Sequence, residues 1–201
     1  ILLTNKDTVP RVYYGDLFTD NGEYMANKTP YYDAITSLLT ARTKFVSGGQ
    51  SLSVDKNDVL TSVRYGKGAL SATDNGSSDT RNQGIGVIVS NNPNLNLNTD
   101  KVTLSMGMSH AHQVYRPLLL TNSQGVKAYA TDSAAQDEGL YKTTNDKGEL
   151  TFDASEIKGY DTVQTSGYLA VWVPVGASAE QDARTIASTE KNNDNSVYHS
   201  N

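Results

Sequence analysis

From residue 58 to residue 176 apolar side chains recur at every second position, and this period constrains the fold more than any other property of the chain. VLTSVRYG (59–66) sets Val59, Thr61, Val63 and Tyr65 against Leu60, Ser62 and Arg64. IGVIVS (85–90), VTLSMG (102–107), YRPLLLT (115–121), VKAYA (126–130) and YLAVWVPVG (168–176) follow, split by turn clusters such as TDNGSSD, NNPNLN and NSQG. LYKTTNDKGELTF (140–152) reads as a hairpin closing at Asp146-Lys147-Gly148. Successive side chains of a strand point to opposite faces, so each segment has one face to bury and one to expose. Seven or eight short strands at this spacing predict an antiparallel sandwich or Greek-key barrel.

The first 46 residues follow another pattern. Val9, Val12, Tyr13 and Tyr14 are dense in β-formers without regular polar spacers, which predicts a strand over 9–15 covered on both faces and ended by Gly15. DLFTDNGEYMANK then carries turn chemistry at Asn21-Gly22. Thr29 as N-cap, Pro30 in the first helical position and Asp33 near the positive end of the dipole predict a helix start. Tyr31, Ile35, Leu38, Leu39, Arg42 and Val46 follow helical spacing, and Gly48-Gly49 stops the run. One strand and one single-faced helix make a βα unit, and nothing later in the sequence supplies the parallel strands it needs. Residues 177–201 carry few apolar side chains and read as an exposed linker.

Composition narrows the function. A net charge of −5 with no basic cluster argues against a phosphate-binding surface and so against nucleic acid. With no cysteine, disulfides, thiolate chemistry and cysteine-ligated zinc are excluded. No apolar run approaches the ~20 residues a membrane helix needs, so no membrane insertion is expected. ILLTNKD lacks the parts of a signal peptide and reads as a cut inside a longer chain.

Few residues offer chemistry. His110 and His112 would share a strand face as a metal-binding pair, but no carboxylate neighbour stands nearby in sequence, and they read as packed or surface histidines. Residues 74–79 (DNGSSD) lack the ligand spacing and closing glutamate of a calcium loop and read as a solvated turn. Ser62, Ser105 and Ser109 lie in no nucleophile elbow. The glycine pairs 66/68 and 84/86 open no helix, which removes phosphate cradling. The strongest candidate is the loop after the front strand, with Asp16, Asp20, Glu23 and Tyr24, because polar groups at the end of a buried strand are where barrel enzymes place their chemistry. Paired carboxylates there are the groups glycoside chemistry uses.

PRVYYGD resembles the eighth barrel strand of the α-amylase superfamily. The longer run TNKDTVPRVYYGDLFTDNGEYM, KTPYYDAI, VSGGQS, LTSVRYGKGA, GIGVIVSNNP, YRPLLLT and SGYLAVWVPVGAS, with QDAR after it, is similar to the glucansucrases of glycoside hydrolase family 70 over essentially the whole chain. The resemblance implies a mainly β fold: an antiparallel Greek-key β-sandwich, the family's C domain, preceded by one βα unit of a (β/α)8 barrel. Residues 1–46 would be the last strand and helix of the barrel (domain A), 47–176 the C domain, and 177–201 the segment leading back to the barrel.

The implied activity is retaining transfer of glucosyl units from sucrose to a growing α-glucan by a secreted or cell-wall-associated enzyme. The family's catalytic carboxylates lie in barrel segments with no matching position here, and its calcium residues lie elsewhere too. The resemblance therefore implies no catalytic residue and no cofactor in this segment, and an inactive chain when alone. Asp16, Asp20 and Tyr24 become active-site rim residues. Sucrose and α-glucan would be met through the barrel, and the partner would be the rest of the parent polypeptide. Two alternatives stay open: the same segment of an α-glucanotransferase acting on starch-like chains, and a stand-alone carbohydrate-binding sandwich. The last requires Tyr65, Tyr115, Tyr129, Tyr141 and Trp172 to line an exposed strip.

Overall fold

A computed structural model describes residues 1–19, 24–55, 57–92, 101–153, 156, 160–161 and 166–176. The elements follow the chain in order. A single helical turn α1 (Tyr14–Leu17) runs into a two-residue ribbon, β1 (Phe18–Thr19) and β2 (Asn27–Lys28), and then helix α2 (Tyr32–Lys44). Strands β3 (Gln50–Val54), β4 (Leu60–Arg64), β5 (Ile85–Ser90), β6 (Val102–Ser105), β7 (Val114–Asn122) and β8 (Gly125–Ala128) come next. A short helix α3 (Asp132–Gln136) precedes β9 (Lys142–Thr143), β10 (Glu149–Phe152), β11 (Tyr160–Asp161) and β12 (Ser166–Pro174).

The large sheet has the order β3-β4-β5-β12-β7-β8, with β9 joined to β7 and β11 to β12, and every pairing is antiparallel. The last strand lies between β5 and β7, so strands adjacent in sequence are separated in space, as in a Greek key. β6 and β10 form a separate antiparallel pair. This pair closes one face of the sheet over Val63, Ile88, Leu104, Met106, Tyr115, Leu150, Phe152, Tyr168 and Trp172, all buried. Phe152 and Trp172 meet across the layers with ring centroids 5.0 Å apart.

Helix α2 covers the opposite face. Ala34, Ala41 and Phe45, with Leu38 and Val46 half-buried, pack on Ile85, Val87, Leu118, Leu119, Val171 and Val173. Val171 and Val173 point to the helix while Ala170 and Trp172 point to the sandwich core, the alternation a strand buried on both faces must have. The sheet-facing stripe of the helix is therefore 34-38-41-45, which shares only Leu38 and, just past the helix end, Val46 with the stripe read from sequence. Tyr31 and Leu39, at 47% and 37% exposure, lie on the other side. After Lys44 the chain turns sharply at Gly48, whose φ is +77° and whose hypothetical Cβ would lie 2.0 Å from the Gly66 carbonyl oxygen. Only glycine fits that approach.

Three expectations are corrected. Residues 9–13 form no strand: Val9 is 94% and Tyr13 67% exposed. A strand needs neighbours for its N–H and C=O groups, and among the described residues none lies beside this segment. Helix α2 begins at Tyr32, not at Pro30: no side chain caps it, and Thr29 lies before it with its hydroxyl donating to the Asp16 carbonyl at 2.7 Å. The turn at 145–148 exists, with the Gly148 N–H bonded to Asn145 O at 2.9 Å, but its arms do not stay together. β9 pairs with β7 and β10 with β6, so the chain changes layers there. The segment 177–201 lies outside the described residues.

The first residues are fastened to the sandwich by two arginines. Arg42 donates to the carbonyls of Leu3 (2.8 Å) and Thr8 (3.0 Å), and Arg64 to those of Thr4 and Gly48. Both guanidiniums satisfy backbone oxygens that a chain without regular structure leaves unpaired.

Candidate functional site

The loop singled out in the sequence is organised by stacked rings. α1 places Tyr14 and Phe18 four residues apart, their centroids at 5.4 Å. Tyr24 stacks on Tyr14 at 5.4 Å with an interplanar angle of 9°. Phe18, buried, meets Tyr32 of α2 at 5.3 Å, and the Lys28 ammonium lies 4.1 Å above the Tyr32 ring. An aromatic row thus runs from solvent at Tyr24 inward to the start of α2.

Backbone bonds fix the row. The Met25 N–H donates to Tyr14 Oη at 2.9 Å, and Met25 holds a left-handed φ of +59°. β1 and β2 pair Phe18 with Lys28 and Thr19 with Asn27, closing the neck of the loop. Tyr24 remains 82% exposed.

Of the three residues expected at a rim, Asp16 lies in α1 and Tyr24 on this loop, and Asp20 lies outside the described residues, as does Glu23. The exposed Asp16 carboxylate accepts the Tyr13 N–H at 3.0 Å, which caps the turn α1. Tyr14, Phe18, Tyr32 and Lys28 were missed as parts of the site. Their signal was the spacing of aromatics at 14, 18, 24 and 32, which the reading in search of carboxylates passed over.

The other candidates resolve into structural roles. His110 and His112 do not share a strand face; His110 ends a 3-10 turn (Met108–His110) and is buried, whereas His112 is exposed and meets Asp146 at 2.8 Å. The His110 ring bridges Tyr65 O and Gln113 Oε1, each at 2.7 Å, so no serine reaches it as a nucleophile's partner would. Burial holds the His110 pKa below the ordinary histidine value, against the pull of both oxygens. Among the described residues no group of three or more His, Asp or Glu is gathered to hold a metal.

Asp74 turns its carboxylate inward to the Leu70 and Ser71 N–H groups at 2.7 and 3.1 Å, and these bonds, Leu70 first, lower its pKa. The loop is a self-closed turn. Tyr65, Tyr115, Tyr129 and Trp172 are all buried and Tyr141 is half-buried, so these five line no exposed strip for a sugar chain. Tyr129, its pKa raised to about 12 chiefly by burial, donates to Glu138.

The family model described as glycosyl hydrolase family 70 matches residues 1–201. The chain belongs to that family. It is 56% identical over 205 residues to Glucosyltransferase-I of Streptococcus mutans and 54% identical over 213 residues to Glucosyltransferase-S of the same organism, all of the chain being covered both times. Glucosyltransferase-I of Streptococcus downei is 50% identical over 99% of the chain.

Among solved structures, a truncated alternansucrase from Leuconostoc mesenteroides matches 90% of the chain at 46% identity with a TM-score of 0.80, the chain covering 18% of that structure. Alternansucrase in complex with isomaltononaose matches the same share at 46% identity with a TM-score of 0.81, the chain covering 16% of it. The family 70 chain spans 14% of the length of the first two glucosyltransferases. The expected mainly β architecture stands, and so does the resemblance to glucansucrases.

Proposed function

We propose that this chain acts as one part of a longer family 70 polypeptide that transfers glucosyl units from sucrose to an α-glucan. The observation that carries the reading is similarity at 50–56% identity, over 99–100% of this chain, to a stretch of longer glucosyltransferases. The structure fits that role. The sandwich is sealed on one face by β6 and β10 and on the other by α2, while Val9, Tyr13, Tyr31 and Leu39 stay exposed on the front segment and the outer side of the helix. In the longer polypeptide these side chains would meet the catalytic barrel, with residues 1–46 as its edge and 47–176 as the C domain supporting it. Asp16, Asp20 and Tyr24 would then lie on the rim of the active site, contributing shape rather than proton transfer or nucleophilic attack.

The catalytic aspartate and the acid/base carboxyl required by a retaining mechanism would come from the barrel. Calcium, if bound, would sit there as well. The enzyme would be exported; no helix among the described residues is long and apolar enough to cross a membrane.

The test separates the parent from the part. The purified 201-residue chain, given sucrose, should release no fructose above background, while the full-length parent should release fructose and build glucan. Fructose release by the isolated chain, or a parent that extends glucan from amylose and ignores sucrose, overturns the reading.

A further inference from the structure

We propose that the Tyr24 ring is a stacking platform for a pyranose unit of an α-glucan, a binding site on this chain in its own right. The inference rests on the reading of the family as glucan-building for its choice of sugar, and on the geometry for the site itself. A tyrosine at 82% exposure would ordinarily sample several rotamers in solvent. Here one face of the ring lies parallel to Tyr14, 9° from coplanar orientation, and the next peptide N–H is bonded to the Tyr14 hydroxyl. Phe18 and Tyr32 support Tyr14 from the protein side. The stack thereby favours one orientation of the ring and leaves most of Tyr24 open to water.

An exposed aromatic face matches the chemistry of a glucopyranose. One face of the sugar carries a patch of C–H groups that gains by leaving water, while the hydroxyls around its edge stay hydrated or bond to polar neighbours. Asp16, Asn27 and Lys28, all exposed on α1 and β2, are polar groups on the described elements flanking the loop that could serve those hydroxyls. Because the stack is formed beforehand, binding forfeits little side-chain freedom at Tyr24. The tyrosines Tyr65, Tyr115, Tyr129 and Tyr168 of the sandwich are buried and offer no comparable face. A nucleobase would also stack, but the net charge of −5 and the absence of a basic cluster disfavour its phosphates.

The test is a titration of the 201-residue chain with isomaltotriose, followed by the aromatic NMR signals of Tyr24 and Tyr14. Saturable shifts at both rings are expected. Tyr24→Ala should weaken binding by about tenfold, whereas Tyr24→Phe, which keeps the ring, should stay within about twofold of wild type. Near-UV circular dichroism of the buried Trp172 checks that each variant keeps its sandwich. The proposal is overturned by shifts that never saturate, by saturable shifts confined to other residues, or by a Tyr24→Ala variant that binds as wild type does. Binding by the chain with no glucosyl transfer by the parent would sink the proposed activity and leave the platform standing; transfer without binding would do the reverse.

Discussion

At the scale of single residues, His110 shows how burial and hydrogen bonding compete. The ring sits between the Tyr65 carbonyl and Gln113 Oε1, an arrangement that would welcome a second proton, yet burial works against the charge and is the larger effect. Arg81, the charged group facing it, adds to the lowering. The sign follows from linkage. The unfolded chain takes up a proton near pH ~6.5 and the folded one holds out to lower pH, so the unfolded state binds more protons in between. The stability contributed by His110 is complete above pH ~6.5 and is lost as pH falls toward its depressed folded pKa. Urea midpoints measured from pH 8 to pH 5 should therefore decline in the wild type, and the decline should flatten in His110→Gln. A variant with the same slope as wild type would show that another group governs it. The sequence exposed this histidine as part of a His-x-His pair, but not its burial. Whether two alternating residues share a face depends on the backbone between them, and a 3-10 turn breaks the period on which the pairing rests.

At the scale of elements, the strands were legible because their faces are unequal. Val63, Ile88, Leu104, Leu150 and Trp172 each belong to a segment whose alternate positions differ in environment, and the period reports that difference directly. β3 was missed. In QSLSV the apolar Leu52 and Val54 are 50% and 61% exposed on an edge strand, so their alternation with serine was present but marked no core. Helix α2 was legible as a helix, yet its buried face was misjudged. Tyr31, Ile35 and Leu39 were the more apolar choice, whereas the sheet accepts the small Ala34 and Ala41, because a helix lying close on a sheet needs small side chains at the contact. That difference is measurable. Ala41→Leu forces a larger group into a site 1% exposed and should cost about 1–3 kcal/mol. Leu39→Ala, on the outer side, should change the stability of the isolated chain by no more than about 0.5 kcal/mol. Urea denaturation of the two variants checks both, and equal losses would mean that α2 does not sit on the sheet by this face.

At the scale of the whole molecule, the two cores are one structure because they share β12. Trp172 faces the β6–β10 pair, and its neighbours Val171 and Val173 face α2. Loosening either side therefore removes support from the same strand, and sandwich and helix should unfold together. Phe152, fully buried and in contact with Trp172, gives the test. Phe152→Ala should destabilise the chain by about 3–5 kcal/mol, the cost of lost burial plus the cavity left behind. In the variant, as in wild type, the helical signal at 222 nm and the Trp172 fluorescence should change at one urea midpoint; separate midpoints would divide the chain into two independent units. The front segment stands apart from this cooperative unit. Among the described residues no strand lies beside 9–13, and the side chains of Val9 and Tyr13 face water. The sequence marked them as a buried strand because β-formers with no polar spacing ordinarily mean burial on both faces, and a pattern of that kind records the environment a segment is suited to, whether or not its neighbours are present. Amide hydrogen exchange makes the argument concrete. In the isolated chain the amides of Val9, Arg11 and Val12 should exchange at close to the rate of an unstructured peptide, Pro10 having no amide hydrogen and the Tyr13 N–H being bonded to Asp16, while those of β5, β7 and β12 exchange only through global unfolding. In the full-length parent the same front amides should become protected by orders of magnitude if a barrel strand pairs with them. Fast exchange in both would mean that the front segment does not join a sheet in either.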